Sequence, residues 1–386
     1  MMKRILLAVT GMSPQVVTET IYALHQEGNQ IDEVEIITTK KGKEQAWLGL
    51  GVGTDNEKGQ LARLVEDYNL PPITFNESSI KIVPDADGNL VDDARTVDDQ
   101  YALADFITNR VRVLTEDNNT QIFASLAGGR KTMTFFLGYA MSLFGRKQDS
   151  LSHVLVDSDF EGVPDFFYPT PTDKMVRNRA GHAFNAKKAN VQLTDIPFVR
   201  MREELPEAII NNGEAYCSTI EKMNLADEKP SLIVNYKTNT IIASGIAIDL
   251  PPAAFTFYTW FVDDSLSEGI GFPCPIENVP EEETSFINHC EGRGLYTEKI
   301  QSVLESENGI SKRYFSERKT KVNSIFKSAL GKRLASVYQI DKSGKYKGRN
   351  QFKISIDNEN IQIETEESDI QRAIKLRAEE KNKFGI

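Results

Sequence analysis

Apolar positions in the first half of the chain alternate between short continuous runs and helically spaced sets. The run KRILLAVT at residues 3–10 is typical of a strand covered on both faces, and PQVVTETIYALHQ follows it with helical spacing. Further strands are predicted at residues 33–39, 79–83, 120–127 and 151–157, with helices at 98–116 and 131–144. Strands that alternate with helices predict a mostly parallel, Rossmann-like α/β domain over residues 1–175.

The pattern changes in the second half of the chain. Residues 176–200 are polar, show neither period and are predicted to be a connector. An α+β domain is predicted over residues 201–386. Its expected elements, in order, are a helical stretch near 203–225, strands at 231–235 and 240–250, a helix at about 252–262, the loop GFPCPIENVPEEE, a helical stretch ending near 305, the basic helix FSERKTKVNSIFKSALGKRL, and the strands VYQI and QFKISI joined by the tip DKSGKYKGRN.

This second pattern resembles the winged helix-turn-helix domains of OmpR-type response regulators. The resemblance implies that FSERKTKVNSIFKSALGKRL is a recognition helix and DKSGKYKGRN a wing. The side chains then available to DNA phosphates are Arg318, Lys319, Lys321, Lys345, Lys347 and Arg349. The alternative is a dimerisation or lid element, whose basic face covers a ligand or pairs with acids elsewhere. The long loop at residues 265–290 departs from compact winged helices.

Length and composition fit an ordinary globular protein of two domains. The chain has 386 residues, 40% of them hydrophobic and 26% charged. Three cysteines are too few for a disulfide framework, and neither a secretory segment nor a long apolar run is present. We therefore expect a cytoplasmic protein with no membrane role.

Charge is distributed unevenly along the chain. The net charge is −11, yet residues 311–353 contain thirteen Lys or Arg and only two acids, Glu317 and Asp341. That segment is therefore +11 and the remainder −22. A basic block of this kind is either a solvated face or a surface for a polyanion such as DNA.

Two predicted strand ends have the chemistry of an anion site. In VTGMSPQVVTET, Gly11 allows a tight exit from the strand, Ser13 is a plausible N-cap, and Pro14 fits the first helical position. In SLAGGRKTMT, two glycines precede Arg130 and Lys131 at the start of a helix. Cations there oppose the helix dipole, which favours an anionic ligand at the carboxyl edge of the sheet.

Neither loop is a standard nucleotide motif. GxGxxG and GxxxxGK[ST] are both absent at these positions, which disfavours an NAD or ATP enzyme. Arg177 and His182 have the R-x4-H spacing of HEPN ribonucleases but lie in the polar connector. Asp157, Asp159 and Glu161 are more typical of a solvated loop than of a metal site. No metal or cofactor is expected.

The strings TGMSPQVVTETIYAL, AGGRKTMTFFLGYAMSLFGR, SHVLV and FFYPTP resemble the CRISPR-associated CARF-domain ring nucleases. That family binds and cleaves the cyclic oligoadenylate messengers of type III CRISPR defence. The resemblance covers most of residues 1–175. It implies a CARF fold, a homodimer, and a cyclic tetra-adenylate lying across the two-fold axis.

The resemblance also assigns site residues. Ser13, with Gly11 and Gln15, carries over from the first motif, and Gly129, Arg130 and Lys131 from the second. We expect Ser13, Arg130 and Lys131 to be catalytic. The expected ligand-binding residues are Thr10, Gly11, Met12, Gln15, Gly128, Gly129, Thr132 and Lys174.

Two functions remain open from the sequence. The first is a metal-independent ring nuclease that cleaves cyclic tetra-adenylate by 2′-hydroxyl attack and switches off the defence signal. The second is a cyclic oligoadenylate-sensing, winged-helix transcriptional regulator in which the CARF domain only binds. A CARF-activated ribonuclease needs a second catalytic centre, and residues 200–386 offer no candidate for it.

Overall fold

A computed structural model of the chain describes residues 2–53, 58–85, 88–90, 96–212, 215–275, 280–295, 300–302, 305 and 310–364. The chain forms two compact units. Unit 1 comprises residues 1–203 and 213–219, and unit 2 comprises residues 204–212 and 220–386. Across the described residues, no helix combines the length and apolar character needed to cross a bilayer.

Unit 1 is built on a six-stranded sheet of order β3-β2-β1-β4-β5-β8. All neighbouring strands are parallel except β5 and β8, which are antiparallel. The sheet consists of β1 (Lys3–Val9), β2 (Glu33–Thr38), β3 (Ile80–Ile82), β4 (Thr120–Ser125), β5 (Ser150–Val156) and β8 (Val191–Asp195). Unit 1 also contains β6 (Met175–Arg177) and β7 (Ala183–Asn185), which pair with each other. The mostly parallel α/β architecture predicted for this region is confirmed.

The helices of unit 1 follow the predicted strand and helix alternation. They are α1 (Gln15–Gln26), α2 (Lys40–Ala46), which continues into a π-helix (Trp47–Val52), α3 (Gln60–Asp67), α4 (Val97–Leu114) and α5 (Lys131–Phe144). The central strand β1 is covered on both faces, since Leu6 and Leu7 are both fully buried. This explains why its sequence is a continuous apolar run.

The structure corrects the prediction that residues 176–200 are a connector without regular structure. Within them, β7 completes a short hairpin with β6, and β8 forms the sixth strand of the main sheet. Strand β8 pairs on one side only, and only Val191 and Leu193 of its five residues are apolar. An edge strand of this composition has no long apolar run by which the sequence would reveal it.

Unit 2 contains two small sheets. One has the order β11-β10-β9-β15 and the other β12-β14-β13. Their strands are β9 (Leu232–Asn235), β10 (Thr240–Ala243), β11 (Ile246–Ile248), β12 (Phe272–Pro273), β13 (Ile340–Tyr346), β14 (Arg349–Ile354) and β15 (Ile361–Glu364). Further helices within the described residues include α6 (Glu207–Asn212), α7 (Tyr216–Asn224), α8 (Pro252–Leu266), α9 (Pro280–Gly292) and α10 (Lys312–Tyr338).

Three predictions for the second domain change. The strand predicted at 240–250 is the hairpin β10–β11, because Ser244 and Gly245 form a turn with φ of 45° and 77°. Most of the tip DKSGKYKGRN is paired strand, and only Lys347 and Gly348 turn. The acidic end of the predicted loop GFPCPIENVPEEE begins α9. Residues 276–279, and residues 296–299 and 303–304 of the helical stretch predicted to end near 305, lie outside the described residues.

The order of helix, basic helix and hairpin expected from the sequence is present in unit 2. Its core is aromatic, with Phe257, Trp260 and Phe261 of α8 packed near Phe315 of α10. Helix α10 breaks at Gly331, which has φ of 75°. The winged-helix assignment itself stays a prediction.

Candidate functional site

The two predicted loops leave adjacent strands of the unit 1 sheet. Strands β1 and β4 are parallel neighbours, with Ala8 opposite Ser125 near their carboxyl ends. From β1 the chain winds toward β2 and β3, and from β4 it winds the other way toward β5. The two loops therefore flank the point where the winding direction reverses, which is where open α/β sheets bind ligands.

Glycines let the two loops approach each other closely. A Cβ built on Gly11 would lie 3.7 Å from the Cα of Gly129, so the backbones of the two motifs are in near contact. At Gly128 a Cβ would lie only 2.9 Å from the carbonyl oxygen of Val9, and Gly129 has φ of 81°. A side chain at Gly128 would push the second loop away from β1.

The polar and cationic side chains of the two loops face solvent. Ser13 and Met12 are exposed in the first loop, and Arg130, Lys131 and Thr132 are exposed in the second. Helix α5 begins at Lys131, and no side chain caps it. The amides of its first turn lack helical acceptors, so this edge combines full positive charges with free N–H donors.

The structure corrects the prediction that Ser13 caps α1. The helix begins at Gln15, Pro14 occupies the cap position with helical φ and ψ of −71° and −9°, and no side-chain cap is present. Proline fits there because it has no N–H to leave unpaired. The hydroxyl of Ser13 is thus not used to cap the helix.

Thr10 and Gln15 hold the first loop in place. Thr10 is fully buried, its N–H donates to Ile37 O at 3.1 Å, and its carbonyl accepts from Thr38 Oγ1 at 2.7 Å. Gln15 Nε2 donates to Pro164 O at 3.0 Å. Within the described residues, the buried Thr10 Oγ1 and Gln15 Oε1 have no hydrogen-bond partner, and the ligand-binding role of both residues stays a prediction.

A third strand end supplies cations that the sequence analysis missed. Lys40 and Lys41 are exposed directly after β2, the neighbour of β1. A Cβ on the following Gly42 would lie 2.9 Å from the carbonyl oxygen of Gly11, so this turn packs against the first loop. The string TTKKGK after a predicted strand was the available signal. The same rule that selected SLAGGRK would have found it.

Lys174, the further lysine predicted near the ligand, lies just before β6 in the segment that follows β5. Its N–H donates to Asn185 Oδ1 at 3.3 Å, and its carbonyl accepts from Ala186 N–H at 2.8 Å. The segment is tied to the sheet domain by Tyr168 OH, which donates to Asp67 Oδ2 at 3.0 Å. The hydrogen bonds of Lys174 thus lie within the hairpin region. Its role at the ligand stays a prediction.

Several residues that the sequence analysis set aside as catalytic or metal-binding candidates make hydrogen bonds within the protein. Arg177 and His182 flank the β6–β7 turn, where an Arg177 guanidinium N–H donates to Gly181 O at 3.1 Å, and no helix holds them. Asp157 Oδ2 accepts from Asn190 N–H at 2.9 Å. Within the described ranges, no group of three or more His, Cys, Asp or Glu is arranged to hold a metal ion.

One buried acid lies in the helix that follows the first loop. Glu19 of α1 is 7% exposed, and burial raises the pKa of its carboxyl to about 7. A carboxyl in such a place is half neutral near physiological pH. It therefore adds less negative charge to this part of unit 1 than a solvated glutamate would.

The family profile of CRISPR-associated protein NE0113 matches residues 13–228. A solved structure of Enterococcus italicus Csm6 bound to cyclic hexa-2'-fluoro-hexa-dAMP is similar over 40% of this chain and 34% of that chain, with 18% sequence identity and a TM-score of 0.25. The chain thus spans about a third of the Csm6 chain. No curated protein matches it.

The family match covers more than half of the 386 residues. It confirms the prediction, made from the sequence resemblance, that this is a CRISPR-associated protein. The mostly parallel sheet of unit 1 is the architecture expected of a Rossmann-like CARF domain. The chain belongs to the CRISPR-associated protein NE0113 family.

Proposed function

We propose that unit 1 binds a cyclic oligoadenylate, specifically cyclic tetra-adenylate, and cleaves it as a ring nuclease that ends the defence signal. The observation that carries the proposal is the close approach of Gly11 and Gly129 at the winding reversal. It gives one edge two helix starts together with exposed Ser13, Arg130 and Lys131. Helix N-termini and cations together favour phosphate groups.

The ligand and the protein share a symmetry in this proposal. A ring of four identical nucleotides has a two-fold axis, and an isologous homodimer presents the same edge twice. Each protomer then binds half of the ring. Lys174, Lys40 and Lys41 are further cations of unit 1 that we assign to its phosphates.

Cleavage proceeds by attack of a ribose 2′-oxygen on the adjacent phosphorus. The 2′-hydroxyl gives up its proton to water, the O2′–P bond forms and the P–O5′ bond breaks. The departing 5′-oxygen takes a proton from water, which leaves a 2′,3′-cyclic phosphate and a 5′-hydroxyl. Holding the 2′-oxygen in line with the P–O5′ bond is the main requirement, and such positioning supplies up to roughly 7–11 kcal/mol in favourable cases.

Each catalytic residue has a distinct task. Ser13 orients the reacting ribose or phosphate through its hydroxyl. Arg130 and Lys131 stabilise the negative charge that develops on the phosphoryl oxygens, which preorganised donors do most effectively. No resident metal is required, so we expect turnover to persist in EDTA.

The test uses the full chain, radiolabelled cyclic tetra-adenylate and separation of linear products. Ser13→Ala and Lys131→Ala are each expected to slow cleavage by roughly 100-fold or more, the effect of removing an oxyanion donor. Lys147→Ala is the matched control, because Lys147 follows the opposite end of α5. Wild-type rates in both site variants, or loss of turnover in EDTA, would contradict the assignment.

A further inference from the structure

The basic segment at residues 311–353 folds into a single structural feature of unit 2. It consists of α10 and the hairpin β13–β14, which follow each other directly in the chain. We call this the helix–hairpin surface, defined by residues 312–330 and 340–354. We propose that it binds duplex DNA, with the first part of α10 in the major groove and the hairpin on the phosphate backbone.

The angle between the helix and the hairpin is fixed by side-chain contacts. Asn323 Nδ2 donates to Ile340 O at 3.0 Å, and the N–H of Ile340 donates back to Asn323 Oδ1 at 2.9 Å. Phe315 of α10 contacts Phe352 of β14 at a ring centroid distance of 5.6 Å. The two parts therefore present one preformed surface, which lowers the ordering cost of binding.

One face of α10 is suited to enter a groove. Phe315, Val322 and Phe326 are buried in the core, which leaves the opposite face to solvent. That face carries Thr320 and Ser324, which are short, hydroxyl-bearing and exposed. An α-helix fits the major groove of B-form DNA, and Ser or Thr hydroxyls can hydrogen-bond base edges there.

The hairpin brings cations to the same side as the helix. Lys342 pairs with Phe352 and Lys345 with Asn350, so both lysines share the strand face that contacts α10. Lys347 is exposed at the turn. Three lysines beside a groove-sized helix match the phosphates that line a major groove.

Other cations of unit 2 are already paired with acids. Lys332 Nζ lies 2.9 Å from Glu204, Lys229 Nζ lies 2.9 Å from Glu359, and Arg333 forms an ion pair with Asp227. Ion pairs within the protein thus neutralise only part of the positive charge of residues 311–353. These three residues also supply a charge-matched control for the hairpin lysines.

The experiment measures fluorescence anisotropy of a labelled 24-base-pair DNA duplex with the full chain, without any cyclic nucleotide. Salt is varied between 50 and 200 mM. Replacing Lys342, Lys345 and Lys347 by Ala removes three phosphate contacts. The slope of log K against log salt concentration should therefore become shallower by about 3. Between 50 and 200 mM salt, the affinity of the variant should then fall about 40-fold less than that of the wild type. The control Lys229→Ala, Lys332→Ala and Arg333→Ala should keep the wild-type slope.

Two further arms locate the helix and identify the nucleic acid. Thr320→Glu places a negative charge on the exposed face of α10 and should weaken DNA binding about tenfold or more. An RNA duplex of the same sequence should bind much more weakly, because its major groove is too narrow for a helix. Equal slopes in the two triple variants, equal affinity for the RNA duplex, or no DNA binding at 50 mM salt would overturn the proposal.

Discussion

The two units of this protein present positive charge in different ways. At the candidate site of unit 1 the cations are few and stand at loops whose backbones approach closely, as Gly11 and Gly129 do. In unit 2 they are many and stand on a regular helix and hairpin. A small, close-fitting edge favours a compact anion, whereas an extended basic surface favours a long polyanion. The sign of the charge alone therefore does not identify the ligand.

Two carboxyl groups, the buried Glu19 of unit 1 and the half-buried Asp263 of unit 2, differ in what surrounds them. In unit 1, burial raises the pKa of Glu19 to about 7. In unit 2, burial acts to raise the pKa of Asp263, but hydrogen bonds from His289, Arg293 and Tyr236 outweigh it and lower that pKa to about 2. Hydrogen bonds thus favour the ionised form of Asp263, whereas burial disfavours the ionised form of Glu19 in the helix that begins beside the candidate site.

The largest expected effect on stability comes from replacing the buried carboxyl group of Glu19 in unit 1. The pKa of Glu19 lies above its ordinary value of 4.5, so ionisation opposes folding increasingly as pH rises from about 4.5 through 7. Glu19→Gln should raise the free energy of unfolding by about 3 kcal/mol at pH 8 and change it little at pH 4. Urea titrations at both pH values measure this. A pH-independent difference would contradict the assignment.

A smaller effect of opposite sign is expected in unit 2. The pKa of Asp263 is held below its ordinary value of 3.8, so its ionised form contributes stability above about pH 4, and this is lost as pH falls toward 2. Asp263→Asn should lower the free energy of unfolding by about 2 kcal/mol at pH 7. The gap between wild type and variant should shrink as the pH approaches 2. Asp249→Asn is the control, since Asp249 is exposed.

The smallest expected effect on stability comes from glycine substitutions, which distinguish the candidate site of unit 1 from the hairpin of unit 2. A Cβ at Gly128 would lie 2.9 Å from the Val9 carbonyl, whereas a Cβ at Gly344 of β13 meets nothing within 4 Å. Gly128→Ala should cost about 1–2 kcal/mol of stability and reduce ring cleavage. Gly344→Ala should change stability by about 0.5 kcal/mol or less. Thermal unfolding and cleavage assays on both variants measure these effects. Equal effects of the two substitutions would contradict the expected difference.

Elements with a strong, uniform pattern were predictable from sequence. Strand β1 contains a continuous apolar run at residues 5–9, and the turn glycines of SLAGGRK mark the site loop. Strand β8 was missed because it is an edge strand with only two apolar side chains. The Ser244–Gly245 turn was missed because apolar residues continue on both sides of it.

The candidate site was predictable in its location more than in its details. Strand order decides which loops meet, and β1 and β4 are far apart in sequence, so their adjacency comes only from the fold. The same order places Lys40 and Lys41 beside the first loop, a position that the string TTKKGK after a predicted strand already indicated. The helix start differed because Pro14 itself takes the cap position that was assigned to Ser13.

We propose above all that Ser13, Arg130 and Lys131, which are exposed at one edge of the sheet, position a ribose 2′-hydroxyl for attack on its neighbouring phosphate. Mass spectrometry of cyclic tetra-adenylate after incubation with excess protein tests it most directly. We expect linear products that end in a 2′,3′-cyclic phosphate and begin with a 5′-hydroxyl. An intact ring, or products that carry a 5′-phosphate, would contradict it.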